Sequence, residues 1–295
     1  MHYRVSPRSL SGPAFVLAGG LLSAQGRVPT TFEQVGSFGT SLVRESSGIA
    51  VSRRHPGVLW THNDSGDGPY LYAVRLNGTV LGRHGVTGAR AVDWEDLALA
   101  PCPTVRGDCL YIADTGDNEA LRRSVTVYIL PEPDTIEGRA AGRTRPARAV
   151  HITYPDGPHD VEAMWVDPDG SVELVTKGQV GEVHRYRVAR ESLLQDSARA
   201  EARGDVPISP QRAIGRWVTG AAIAPHGRRV AIRTYTEIFF FQLTENHALV
   251  PDGPPCWLGT REAQGEAVAF LDDDTLVLTS EGLLGQHGLI HRVRC

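Results

Sequence analysis

The sequence predicts an all-β fold, a β-propeller of five blades with four antiparallel strands each. Three observations carry that expectation. Gly 32 and Pro 19 in 295 residues describe a chain rich in turns. Five segments open on a similar phrase: 45–50 (ESSGIA), 95–99 (EDLAL), 162–166 (EAMWV), 218–223 (VTGAAI) and 266–270 (EAVAF). Their first residues lie 50, 67, 56 and 48 positions apart, and each phrase is followed by two further short apolar stretches. Short strands between Gly/Pro turns, recurring every ~50 residues, are how a propeller looks in sequence.

The phrases are the innermost strands. Turns at 53–57, 167–170, 225–227 and 272–274 end them. Second strands follow at 58–60, 110–113, 172–175, 230–232 and 276–278, and third strands at 71–74, 125–129, 183–186, 238–241 and 289–291. Outer strands are expected at 80–86, 147–154, 212–217 and 256–258, with 190–204 a short surface helix and loop. The fifth repeat ends at Cys295 without an outer strand, and 32–38 is left over. Pairing the two closes the ring with an N-terminal strand and removes an exposed edge. Six blades would need another repeat within 137–150 or 190–210.

Composition narrows the function classes. A net charge of −4, 41% hydrophobic and 22% charged residues describe a globular chain, neither disordered nor polytopic. A negative net charge without basic runs speaks against a nucleic-acid surface. His2, Arg4 and Arg8, an apolar stretch over 14–24 and a small-x-small site at 24–26 read as an export signal over 1–26, leaving one domain over 27–295. Eleven apolar residues are too few to cross a hydrocarbon core of ~30 Å. Four cysteines suit an exported chain. They permit three pairings; strand placement favours Cys102–Cys109 and Cys256–Cys295, both on the face away from the glutamates. No spacing resembles a zinc site.

Antiparallel strands bring the start of each first strand and the end of each second strand to one mouth of the channel. Glu45, Glu95, Glu162 and Glu266 enter from the first strands, and Asp64, Asp114, Lys177, Arg233 and Glu281 from the second. Carboxylates that close repel one another and raise each other's pKa unless a cation neutralises them. Two loops align, 63–68 (NDSGDG) and 113–118 (ADTGDN). Oxygen donors at that spacing suit Ca²⁺, which takes six to eight oxygens in loose geometry, although Asp-x-Gly also forms Asx-turns. The metal candidates are therefore Glu45, Asp64, Glu95, Asp114, Asp117 and Asn118. Glu162, Lys177, Arg233 and Glu281 are the catalytic candidates, with His62, His159 and Glu266 beside the substrate. Lys177 is the only lysine among 30 basic residues, which singles out a compact ammonium. There is no Gly-x-Ser-x-Gly elbow, P-loop or dinucleotide fingerprint.

Several stretches resemble a family of secreted bacterial β-propellers grouped with the phytase esterase-like domain. They include 47–50 (SGIA), 55–66 (HPGVLWTHNDSG), 93–97 (DWEDL), 111–118 (YIADTGDN), 132–133, 154–157 (YPDG), 160–163 (DVEA), 175–178 (VTKG), 233–235 (RTY), 264–268 (QGEAV) and 280–282 (SEG). The resemblance implies a propeller and a metal-assisted ester or phosphoester hydrolase. Blade four departs from the family pattern, carrying Ala222 and His226 where acidic residues are common. The expectation is a secreted or envelope-located monomer that hydrolyses a small anionic ester with Ca²⁺ at the channel mouth. The alternative is a non-catalytic ligand-binding or scaffolding propeller.

Overall fold

The structure, a computed structural model, describes residues 26–39, 42–179, 181–208, 214–282 and 287–295, with backbone only at 138–141. The export-signal stretch therefore lies outside the described residues, apart from Gly26. Five sheets form five blades around one channel. The innermost strands are Ser46–Val51, Trp94–Pro101, Val161–Val166, Val218–Ile223 and Gly265–Phe270. They are buried almost throughout because the neighbouring blades cover both faces; Val161–Val166 and Gly265–Phe270 are buried at every position. Second strands (Val58–Asn63, Asp108–Asp114, Val172–Thr176, Arg229–Thr234, Thr275–Ser280) and third strands (Tyr70–Arg75, Val125–Pro131, His184–Val188, Glu237–Leu243, Leu289–Arg294) follow by antiparallel pairing. The core is thus a set of interblade layers, such as Trp60, Leu71, Trp94 and Leu110 between blades one and two.

The ring closes as the sequence suggests. Thr31–Ser37 pairs antiparallel with Leu289–Arg294, from Thr31 opposite Arg294 to Ser37 opposite Leu289. Val80–Gly85 and Arg148–Thr153 are the outer strands of blades one and two, and each edge is covered in turn. Gly138–Arg143 pairs parallel with the first and Ser197–Arg199 parallel with the second. Loops of one blade thereby occupy the exposed edge of the one before, where a free strand would invite pairing with another chain.

Blade three corrects one expectation. Its outer strand is Glu201–Asp205, not 212–217, where the chain forms a 3-10 turn over Ile214–Arg216 and residues 209–213 lie outside the described ones. The stretch 190–204 holds a 3-10 turn at Arg190–Leu194 and then two strands rather than a helix and loop. Glu201–Asp205 is exposed at nearly every position and carries no apolar run that would reveal it.

Both cysteine pairs are bonded, Cys102 to Cys109 and Cys256 to Cys295. Cys102–Cys109 clamps the turn between the first two strands of blade two, on the face away from the glutamates. Cys256 is placed differently from expectation. It lies opposite Ile238, near the mouth end of the third strand, because Leu249–Pro251 has already paired with Phe241–Leu243. There it also bridges Arg27, so the disulfide ties the end of blade four to the chain's last residue beside the closing strand.

Each innermost strand carries a β-bulge near its start. The registers skip between Ser46 and Gly48, Trp94 and Asp96, Val161 and Ala163, Val218 and Gly220, and Gly265 and Val268. A bulge re-aims the side chain it leaves unpaired. The skipped residues are Ser47, Glu95, Glu162, Thr219 and, with Ala267, Glu266. Next to the bulge of blade two, Asp96 is fully buried. Its carboxylate accepts from Leu97 N at 2.8 Å, Met164 N at 2.8 Å and Ala221 N at 3.0 Å, tying blade two to blades three and four. Asp96→Ala strands these buried donors and should lower unfolding stability by about 2 kcal/mol. Chemical denaturation of the two proteins measures the difference.

Candidate active site

Bulges and strand ends place eight carboxylates at one mouth. Glu95, Glu162 and Glu266 come from the bulges and are 3%, 3% and 4% exposed. Asp93 and Asp160 each stand two residues before a bulge glutamate, with Gln264 in the equivalent place in blade five. Asp64 and Glu281 follow the second strands of blades one and five. Glu45 stands two residues before Ser47, so it corresponds to Asp93 and Asp160 rather than to Glu95 as the repeat phrases suggested; Ser47 takes the bulge position in blade one. Ser47 Oγ donates to the Glu95 carbonyl at 2.7 Å.

One ammonium stands among these acids. Lys177 Nζ lies 2.5 Å from Glu162 Oε1, 3.8 Å from Asp160 Oδ2 and 3.5 Å from Asn118 Oδ1, with 12% of the side chain exposed. Burial acts to lower its pKa, but Glu162 and Asp160 outweigh that and hold it charged. Tyr235 joins the same field; burial and Glu266 keep its phenol protonated.

The carboxylates respond to crowding as repulsion requires. Burial, then Asp64 and Asp160, push Asp93 up to about 6. Burial raises Glu162 to about 7, offset in part by Lys177. Burial, then Asp64 and Glu45, raise Glu281 to about 7. Glu95 and Glu266 lie well above the usual carboxylate range, through burial and then through Glu162 and Glu281 respectively. Folded-state values above the unfolded ones mean that the folded protein binds more protons, so stability falls as pH rises. Without divalent cations, thermal stability should therefore decline from about pH 4.5, the unfolded carboxyl value, to pH 7 and above. Glu162, raised to about 7, should carry part of that decline. Saturating Ca²⁺ should flatten the decline in a melting series.

Two groups of oxygens are close enough to share a cation. Asp64, Asp93 and Glu95 each offer one oxygen within 4.8 Å of the others, and so do Glu95, Asp160 and Glu162. Lys177 already neutralises the second group. In the first, no lysine or arginine among the described residues forms an ion pair with any of the three. Gly116 leaves the space these acids use, since a Cβ there would fall on Glu95 Oε1 and Asp93 Oδ2. All-oxygen, acid-rich donors suit a hard divalent cation.

Other candidates are engaged elsewhere. Asp114 is 1% exposed and accepts from Asp93 N at 3.1 Å and Arg122 Nη2 at 2.9 Å. Asp117 caps the following turn, accepting from Leu121 N at 2.9 Å and Arg122 N at 2.7 Å. These two build the loop rather than face the cation group, and Asn118 stands on the rim beside Lys177. Arg233 is fully buried and donates to Ala267 O at 2.7 Å, to Thr279 O at 2.9 Å and to Glu262. Glu262 also meets His291 Nδ1 at 3.0 Å. This guanidinium locks blade four to blade five and, at 0% exposure, is out of reach of a substrate. Gly265 is required there, because a Cβ would collide with Arg233 Nη2.

Neither histidine lines the mouth. His62 is fully buried against Trp94, with Nδ1 2.9 Å from the Asn63 carbonyl, and burial keeps it neutral. His159 lies over the third strand of blade three, with Nε2 2.7 Å from Tyr186 Oη and 3.0 Å from Asp156 Oδ1. Asp93, Asp160, Gln264 and Tyr235 lie in stretches the sequence analysis names but are not among its candidate site residues. The signal for the two aspartates is the acid-x-glutamate pair at 93/95 and 160/162, which a repeat phrase beginning at Glu45 hides.

The chain matches no protein-family model and no curated protein. It is similar in structure to the PQQ-bound aldose sugar dehydrogenase of Streptomyces coelicolor, at 14% identity and TM-score 0.51, covering 92% of this chain and 98% of that one. It is also similar to a gluconolactonase of Xanthomonas campestris, at 13% identity and TM-score 0.48, covering 92% and 99%. Its structural neighbours thus include sugar dehydrogenases and lactonases, and at these identities the likeness is one of propeller fold.

Proposed function

We propose that the acidic mouth is the active site of an exported, divalent-cation-dependent hydrolase acting on a small anionic ester. The observation that carries this is the convergence of Asp64, Asp93 and Glu95 oxygens next to a buried ammonium. The expected metal set changes: Asp93 enters, while Asp114 and Asp117 leave. A calcium-class ion held there supplies a Lewis acid for the ester oxygen. Lys177, its charge fixed by Glu162, holds the substrate anion and donates to the oxygen that gains charge as water adds. Glu281, raised to about 7, suits the base that takes the proton from water and returns it to the leaving alcohol. Arg233, His62 and His159 have no part in this reading. The reading agrees with what the resemblance to the phytase esterase-like propellers implies.

A screen of carboxylate esters and phosphoesters with Ca²⁺ and with a chelator tests it. Turnover that is lost to chelator and restored by Ca²⁺ supports the hydrolase. Binding of the anions without turnover would replace it by a ligand-binding propeller.

A further inference from the structure

A cavity of about 410 Å³ lies at the other end of the channel. Its walls are the far halves of all five innermost strands, among them Val51, Leu99, Val166, Ile223 and Leu271. Leu97, Met164 and Ala221 also line it, and their amides are the ones that hold Asp96, so the carboxylate plug separates this cup from the acidic mouth. The volume lies in the range of small-molecule sites. Val51, Leu99, Ile223 and Leu271 are only half-buried, so the cup leaves apolar wall open to water.

Two lining side chains are polar, Ser52 and Arg53. Ser52 Oγ is taken by Glu132 Oε1 and the amide of His55. Arg53 is 51% exposed at the rim, with Nη1 3.2 Å from Asp108 Oδ1. None of the turn carboxylates at this face lines the cup.

We propose that this cup binds a free medium-chain fatty acid, its chain along the channel axis and its carboxylate at Arg53. Apolar walls, mostly aliphatic with Trp165 and Phe270 among them, closed at the inner end fit one unbranched chain, and the single lining charge is a cation at the open end. The site is independent of the reaction at the acidic mouth.

Calorimetric titration with decanoate and with decanol tests it. Decanoate should bind one per protein, about tenfold tighter than decanol. Arg53→Gln should weaken decanoate about tenfold and leave decanol unchanged. Ala222→Leu, which fills the cup with an apolar group, should weaken both at least tenfold, with a melting temperature close to the original. Leu99→Glu should do the same. No decanoate binding, binding unaffected by Ala222→Leu, or binding to phospholipid vesicles alone would overturn the assignment.

Discussion

Lys177→Arg is expected to fold and to lose about 10²–10³ in kcat/KM on any ester the protein hydrolyses, the usual cost of losing a preorganised donor to developing charge. The charge is unchanged by this substitution, but the planar guanidinium cannot occupy the position of an ammonium 2.5 Å from Glu162 and 3.8 Å from Asp160. Lys177→Met should be as inactive and, in addition, less stable. With 12% of its side chain exposed, Lys177 compensates buried acids. Without the ammonium, the Glu162 pKa rises further, so the penalty should be larger at pH 8 than at pH 5. Steady-state kinetics with melting curves at both pH values separate the two effects. An Arg variant with full activity would return Lys177 to a structural salt bridge.

Arg233→Met should show the opposite pattern, a stability loss of about 3–5 kcal/mol with activity per folded molecule retained. Removing one partner of a buried ion pair leaves the other charge uncompensated, here Glu262 at 1% side-chain exposure. The double variant Arg233→Met/Glu262→Met should recover part of the loss, because replacing both partners removes the stranded charge. Denaturant unfolding of the single and double variants measures this. A folded Arg233→Met protein whose kcat/KM falls a hundredfold would restore the residue to the site.

The blade count, the closing strand and the Cys102–Cys109 disulfide were legible because the inner strands carry continuous apolar runs and the fifth repeat lacks an outer strand; the Cys256–Cys295 pairing holds although Cys256 lies nearer the mouth than strand placement suggested. The outer strand Glu201–Asp205 was not, since a solvated edge strand has no burial pattern to display. Within the site, the acidity of the mouth was readable from Glu95, Glu162 and Glu266. The bulges were not, and they decide which residue of each phrase reaches the channel. Without them Glu45 looks equivalent to Glu95, and Asp93 and Asp160 receive no role. Arg233 misled for a related reason: its place in the repeat matches a mouth position, but Gly265 of the next blade opens a slot that takes the guanidinium inward.

Calcium titration of the metal-free protein beside Glu95→Gln and Asp114→Asn, followed by calorimetry at pH 7, tests the cation site directly. Glu95 belongs to the converging group with Asp64 and Asp93, whereas Asp114 is spent on Arg122 and the amide of Asp93. The expected result is one Ca²⁺ per molecule, binding at least tenfold weaker in Glu95→Gln and nearly unchanged in Asp114→Asn. No calcium binding by the unmodified protein, or equal binding by Glu95→Gln, would contradict a cation held at the acidic mouth.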